Sequence, residues 1–424
     1  MIIIKNGYVI DPFTKREGKF DILIDEDKVV RISENLEIED DLEIIDAEDC
    51  IVCPGFIDIH SHFRDPGFTE KEDIITGANA AARGGYTTVI CMANTNPVVD
   101  NVETLKYIVN KAKEAKIEVL QVGTITKGMQ GKELVDMEAL KEAGAVGFSD
   151  DGKPIEDASL VLKAMEMAKE LDVPLSFHEE DPKLIYESGI NSGKIAEKLD
   201  MKGAMEEAET VLTARDSALA VSSKAKIDIQ HISSKVSVGV VKWAKEMGAN
   251  IIAEATPQHF SITEEEILTC GTNAKVNPPL RTEEDRIAII KALKENTISV
   301  IATDHAPHTK SEKEKEFKKA PSGMIGLETA LSLAVTNLVK TGDLTYKEVI
   351  SKLTINPARF YNLDRGYIKE GHRADIVIFD PDEKYTVKEE EFQSKASNSP
   401  FIGKKLSGRI KTTICNGKIV YEDK

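Results

Sequence analysis

Eight short apolar segments rich in β-branched residues recur through the middle of the chain, and longer helix-like stretches separate them. The segments are 51–59, 87–92, 117–122, 145–149, 173–177, 227–230, 250–254 and 299–303. Strands with no polar face are buried on both sides, and strands that alternate with helices run parallel. Helices are expected over 70–82, 102–116, 159–170, 206–222 and 236–248. Eight such repeats favour closure into an α/β fold of the (β/α)8 TIM-barrel type. An open doubly wound sheet is the alternative, weakened because no G-x-G-x-x-G follows any of these strands.

The two ends of the chain read differently. Residues 1–50 carry short strands at 1–5, 21–25, 28–32 and 43–46, and residues 366–424 carry strands at 375–379, 409–415 and 418–421. Asn416-Gly417 is a strong hairpin turn. The economical expectation is a small β-sandwich domain made from 1–52 and 366–424, with the barrel spanning 53–365. Two longer loops interrupt the barrel, at 189–203 and 306–321. The second carries the charge run 310–319 and reads either as a solvated stretch or as a mobile lid.

Composition excludes several classes. Hydrophobic residues make up 41% and charged residues 30%, which fits a folded chain rather than a disordered one. A net charge of −18 argues against a nucleic-acid footprint. It does not exclude a small anionic substrate, because a basic pocket can sit in an acidic protein. No apolar run approaches the roughly 20 residues that span a bilayer, and Met1–Tyr8 lacks the features of a signal peptide. The five cysteines are odd in number, which suits a reducing cytoplasm. Cys50 and Cys53 form a C-x-x-C with no second pair, so they read as buried thiols rather than a zinc site.

Metal-ligand residue types gather where the expected strands end: His60-Ser61-His62, Asp150-Asp151, His178, His231 and Asp304. In a barrel those ends converge on one face. Side chains at i and i+2 of a strand point the same way, so His60 and His62 can grip one ion. A lone histidine at a strand end is more often structural, but three such strands with two more ending in aspartate are hard to dismiss. Imidazole and carboxylate without thiolate suit zinc, with manganese or cobalt as alternatives.

Around these residues lie "PGFIDIHSHFRDPG" (54–67), "MANTNP" (92–97), "GFSDDG" (147–152), "NPPLR" (277–281), "ATDHAPH" (302–308) and "GYIKEGHRADIVIFD" (366–380). In this order they resemble the amidohydrolase superfamily in its dihydroorotase form, class I type, over essentially the whole chain. The resemblance implies that His60, His62 and Asp304 hold one zinc, that His178 and His231 hold a second, and that Asp151 bridges them. Asp150 remains open as the bridge. It further implies that Arg64, Asn94, Asn277 and His308 hold the substrate carboxylate, and that Asp304 carries the catalytic proton.

The implied reaction is the reversible cyclisation of N-carbamoyl-L-aspartate to L-dihydroorotate in pyrimidine biosynthesis. A homodimer and an association with aspartate transcarbamoylase stay open.

Each substrate residue has a plainer reading. Arg64 could pair with Asp65 or Glu70, Asn94 and Asn277 could cap turns beside Pro97 and Pro278, and His308 could sit in solvent. His259 is ambiguous, while His305 and His372 read as structural. Two rivals remain. Hydantoinases, dihydropyrimidinases and allantoinases typically carry a carbamylated lysine on the fourth strand, and residues 146–151 contain none. A non-catalytic scaffold homologue would be expected to have lost ligands, and this chain keeps them.

Overall fold

Among the described residues, the first 54 positions hold seven short strands: β1 (Ile2–Lys5), β2 (Tyr8–Asp11), β3 (Arg16–Lys19), β4 (Asp21–Asp25), β5 (Lys28–Ser33), β6 (Glu43–Asp46) and β7 (Ile51–Pro54). The computed structural model describes residues 1–37 and 42–423. Eight parallel strands follow: β8 (Phe56–Ser61), β9 (Tyr86–Cys91), β10 (Glu118–Gly123), β11 (Ala145–Ser149), β12 (Leu175–Phe177), β13 (Ile227–Ile229), β14 (Ile251–Ala255) and β15 (Val300–Ile301). The C-terminal region adds β16 (Ile376–Thr386), β17 (Lys405–Cys415) and β18 (Lys418–Glu422).

The eight parallel strands pair in sequence order from β8 to β15, as a (β/α)8 barrel requires. Its seam is closed by side chains as well as backbone. The buried Asp58 carboxylate accepts the Thr303 N–H (3.0 Å), the Thr303 hydroxyl (2.5 Å) and the Ser61 hydroxyl (2.6 Å). The His62 N–H donates to His305 O at 2.9 Å across the same seam. The helices begin where short polar side chains satisfy free backbone N–H groups. Asp73, Asn101, Asp136, Asp157, Ser234 and Thr282 each cap one. Their apolar faces, such as Leu105 and Ile108, pack on the strands. Each fully buried aliphatic side chain contributes roughly 1.5–3 kcal/mol. No helix among the described residues is long and apolar enough to cross a membrane.

The expected single strand at 51–59 is two strands in different sheets. β7 pairs with β2 and β16, while β8 opens the barrel. Gly55 lies at the break, where an added Cβ would come within 2.2 Å of the Thr87 hydroxyl. Continuous hydrophobicity hid that change of sheet. The hairpin of β2 and β3 also went unforeseen, because Arg16–Lys19 is polar. The six-stranded sheet β18-β17-β16-β7-β2-β3 draws on both ends of the chain, and β5-β4-β1-β6 forms a second sheet. Ile4, Val9, Ile22, Val52, Ile376 and Ile414 belong to the apolar core they share.

Candidate metal and substrate site

The barrel strands set their last residues around one mouth. His60 is on β8 and His62 follows it. Asp151 lies just past β11, His178 past β12, His231 past β13 and Asp304 past β15. All six are buried; Asp304, the most open, is 8% exposed. Arg64, His231 and Asp304 hold left-handed backbone angles, with φ of 59°, 33° and 47°. Such conformations cost on the order of 1–3 kcal/mol each and persist where the surroundings enforce them.

Two ligand triplets share one carboxylate. The donor atoms of His60, His62 and Asp151 all lie within 4.8 Å of one another, as do those of Asp151, His178 and His231. Asp151 Oδ1 is 3.5 Å from His60 Nε2, 3.6 Å from His178 Nδ1 and 3.7 Å from His231 Nε2. Asp304 Oδ1 is 3.0 Å from His62 Nε2 and 3.5 Å from His60 Nε2. Asp150 points elsewhere. Its carboxylate accepts the N–H groups of Ile125 (2.7 Å) and Thr126 (3.1 Å) and the Thr126 hydroxyl. Between the two aspartates, the geometry turns Asp151 to the histidines.

The outer ring nitrogens face acceptors. His60 Nδ1 meets Glu254 at 2.9 Å, His178 Nε2 meets Glu180 at 3.1 Å, and His62 Nδ1 meets the Asn94 side-chain oxygen at 3.0 Å. Such partners keep the proton on the outer nitrogen and aim the inner lone pair at the cluster. Sequence reasoning missed Glu180 and Glu254. A carboxylate two residues past His178, and another at the end of the seventh barrel strand, were the available signals.

The cluster fits a metal. His60 Nε2 is fully buried and has no hydrogen-bond partner among the described residues. His178 Nδ1 and His231 Nε2 stand 2.9 Å apart. Burial disfavours the charged form of His60, yet Glu254 and Asp151 outweigh it and hold its pKa well above the usual range. Burial likewise opposes charge on His178, but Asp151 and Glu180 bring it up to about 10. Asp151 is held well below the carboxylate range, because the histidines overcome its burial. Carboxylates that draw protons onto imidazoles mark a site of negative potential, which a divalent cation satisfies in their place.

Above the cluster is a cavity of about 190 Å3. His62, Asp151, His178, His231 and Asp304 line its floor, and Arg64, Asn94, Asn277 and His308 line its sides. Gly152, Ala306, Ser322 and Gly323 also line it and were not foreseen. Arg64 forms no ion pair among the described residues, since Asp65 pairs with Lys111 at 2.5 Å. Its Nε donates only to Pro307 O, at 3.3 Å. Asn94 accepts from His62 and donates to Asp151 Oδ2 at 3.0 Å, so it joins the two aspects of the site. Asn277 pairs with the Ser188 hydroxyl at 2.8 Å.

His308 is buried rather than solvated. Its Nε2 donates to Ser322 O at 2.9 Å. Burial, with Arg64, Lys71 and Lys313 nearby, pushes its pKa down to about 3, so it stays neutral. His259 is fixed between the Thr256 hydroxyl and Pro278 O, His305 accepts the Gly326 N–H, and His372 meets the Tyr367 hydroxyl.

Comparison with known proteins places the chain in a family. The amidohydrolase family matches residues 51–420. The dihydroorotase of Clostridium acetobutylicum is 86% identical over all 424 residues, covering 100% of each chain. That of Clostridioides difficile is 58% identical, covering 99% of this chain and 100% of its own. Among solved structures, the L-hydantoinase (dihydropyrimidinase) of Arthrobacter aurescens superposes with a TM-score of 0.88 at 24% identity, over 99% of this chain and 96% of its own. The D-hydantoinase (dihydropyrimidinase) of a Thermus species gives 0.83 at 26%, over 100% and 96%. The chain belongs to the amidohydrolase family and, within it, to the dihydroorotases.

Proposed function

We propose that this chain interconverts L-dihydroorotate and N-carbamoyl-L-aspartate by a metal-dependent mechanism, in the synthesis of pyrimidines. The observation that carries the reading is Arg64, a guanidinium with no ion-pair partner among the described residues, which opens on the same cavity as the ligand cluster. A guanidinium is a natural bidentate partner for a carboxylate, which dihydroorotate has and dihydrouracil or hydantoin lack. The aspartate at position 151, in a stretch without lysine, supports the same branch of the family.

Zinc, two ions per chain, fits the donor set of imidazoles and carboxylates. His60, His62 and Asp304 would hold one ion and His178 and His231 the other, with Asp151 between them. Ions held there would supply a water activated at neutral pH and a Lewis acid for the carbonyl under attack. Arg64, Asn277 and His308 orient the ring by its carboxylate. Asn94 contacts His62 and Asp151 and reaches the cavity beside them. Asp304 takes the proton of the attacking water and returns it to the departing ring nitrogen. Burial raises the pKa of Asp304, but His60 and His62 more than offset this and bring it to about 2, so it is ionised. The neutral His308 has one ring N–H, which donates to Ser322 O; it would meet the carboxylate only by turning that N–H from Ser322 into the cavity.

Residues 1–52 with 366–424 act as a unit flanking the barrel at 53–365, a division supported by the pairing of β7 with β16. The five cysteines are all unpaired, which supports a reducing cytoplasm.

The test is a panel of dihydroorotate, hydantoin, dihydrouracil and allantoin with zinc-reconstituted protein. Dihydroorotate should exceed each neutral ring in kcat/KM by about a hundredfold or more, the worth of a charge-assisted contact. Comparable turnover of a neutral ring would overturn the reading. Ring closure also consumes a proton. The equilibrium ratio of dihydroorotate to N-carbamoyl-aspartate should therefore fall about tenfold per pH unit between about pH 6 and 9, and a flat ratio contradicts the substrate assignment.

A further inference from the structure

Within the charge run 310–319, Lys310, Lys315, Lys318 and Lys319 face solvent and Lys313 alone among the lysines is buried. Its ammonium donates to Pro321 O (3.0 Å) and Gly323 O (2.9 Å). A second buried lysine lies against the same segment. Lys275 donates to Phe317 O and Ala320 O, both at 2.7 Å, and its Nζ sits 5.0 Å from the Phe317 ring centre. Neither lysine has an ion-pair partner among the described residues. An ammonium buried without a carboxylate is costly, so each lysine depends on its two well-placed carbonyls. Burial pushes both pKa values down, that of Lys313 to about 7 with Lys275 adding to the shift.

The segment these lysines fasten is a wall of the cavity. Ser322 and Gly323 line it, and Ser322 O holds His308. The Gly323 N–H donates to Lys275 O at 2.8 Å, and the Thr272 hydroxyl donates to Lys313 O. Asn277, two residues beyond Lys275, lines the cavity as well. Lys275 thus ties the loop after the seventh barrel strand to the loop after the eighth, and Lys313 closes that second loop on itself. We propose that Lys275 and Lys313 are positioning residues that fix this wall and so set how tightly the anionic substrate binds, an inference that rests on the function proposed above. They touch neither substrate nor reacting atoms. They hold His308, Ser322, Gly323 and Asn277 in one arrangement, and they place positive charge behind the wall.

The experiment uses the zinc-loaded protein with Lys275→Met, Lys313→Met and the double variant. Each single variant should raise KM for dihydroorotate about tenfold or more, with kcat within about threefold and metal content unchanged. The double variant should be little worse than either single, because both lysines serve one wall. Limited trypsin digestion should cut within 310–319 faster in each variant than in the wild type. If a Met variant does not accumulate folded, Lys313→Gln, whose shorter, uncharged side chain cannot reach both carbonyls, must show the same KM-against-kcat split. An unchanged KM with unchanged tryptic cleavage overturns the proposal, as does a loss confined to kcat. If the wild type does not turn over dihydroorotate, the substrate reading fails separately. The tryptic rate then decides the wall by itself, and unchanged cleavage rejects it.

Discussion

The floor and the sides of the cavity are built by different means. The floor consists of His62, Asp151, His178, His231 and Asp304, each within a few residues of a barrel strand's end, and each held in a network of ring nitrogens and carboxylates. The sides consist of Arg64, Asn277, His308, Ser322 and Gly323, carried on loops and fastened by backbone carbonyls and buried lysines. Strand ends inherit their positions from the barrel's hydrogen bonds. Loops must be pinned one contact at a time. On the function proposed above, chemistry that tolerates little displacement would sit on the first kind of support and substrate selection on the second.

The largest expected effect is on the floor. Asp304→Asn should lower kcat in both directions by about a thousandfold or more, because a neutral amide cannot shuttle the proton and is also a weaker metal ligand, so metal content is measured beside the rates. Steady-state rates in each direction measure this, and a residual rate near wild type would move the proton to another group. On the sides, Arg64→Met should raise KM for dihydroorotate by about a hundredfold while metal content holds, which separates recognition from metal binding. Loss of metal in that variant would erase the distinction between floor and side.

Glu254→Gln tests the support beneath the floor. Glu254 accepts from His60 Nδ1 and from the His231 N–H. Its replacement should weaken metal retention about 10–100-fold, read by chelator competition, since outer partners of ligating histidines carry such effects. Retention equal to wild type would show that strand geometry alone orients His60.

The smallest effect concerns stability. Burial, with Lys275 nearby, lowers the Lys313 pKa from its ordinary 10.5 to about 7. Between those values the folded chain binds fewer protons than the unfolded one, so this group's contribution to stability rises with pH through that window. The stability of wild type relative to Lys313→Met should therefore grow by on the order of 1–2 kcal/mol from about pH 7 to 9. Lys245 and Lys352, both also lowered to about 8, are present in both proteins and cancel in the difference. Melting curves across that range check it, and a constant gap would place the Lys313 ammonium in water.

The sequence by itself determined the barrel, its flanking sheets and the floor of the site. Periodicity is local: runs of β-branched residues separated by amphipathic stretches already encode β8 to β15, and a histidine or aspartate at a strand end keeps its place whatever the loops do. It even carried the choice of family branch, through Arg64 and the missing lysine at 146–151. Tertiary structure decided what depends on partners far along the chain. It divided 51–59 between two sheets, because Gly55 packs against Thr87. It turned Asp150 to Ile125 and Thr126 and left Asp151 to the histidines. It buried Lys313 and left its neighbouring lysines in solvent, because only that ammonium meets the carbonyls of Pro321 and Gly323. A run of like residues carries no label for which one points inward; the hydrogen-bond acceptors that select it exist only once the loop has closed over the barrel.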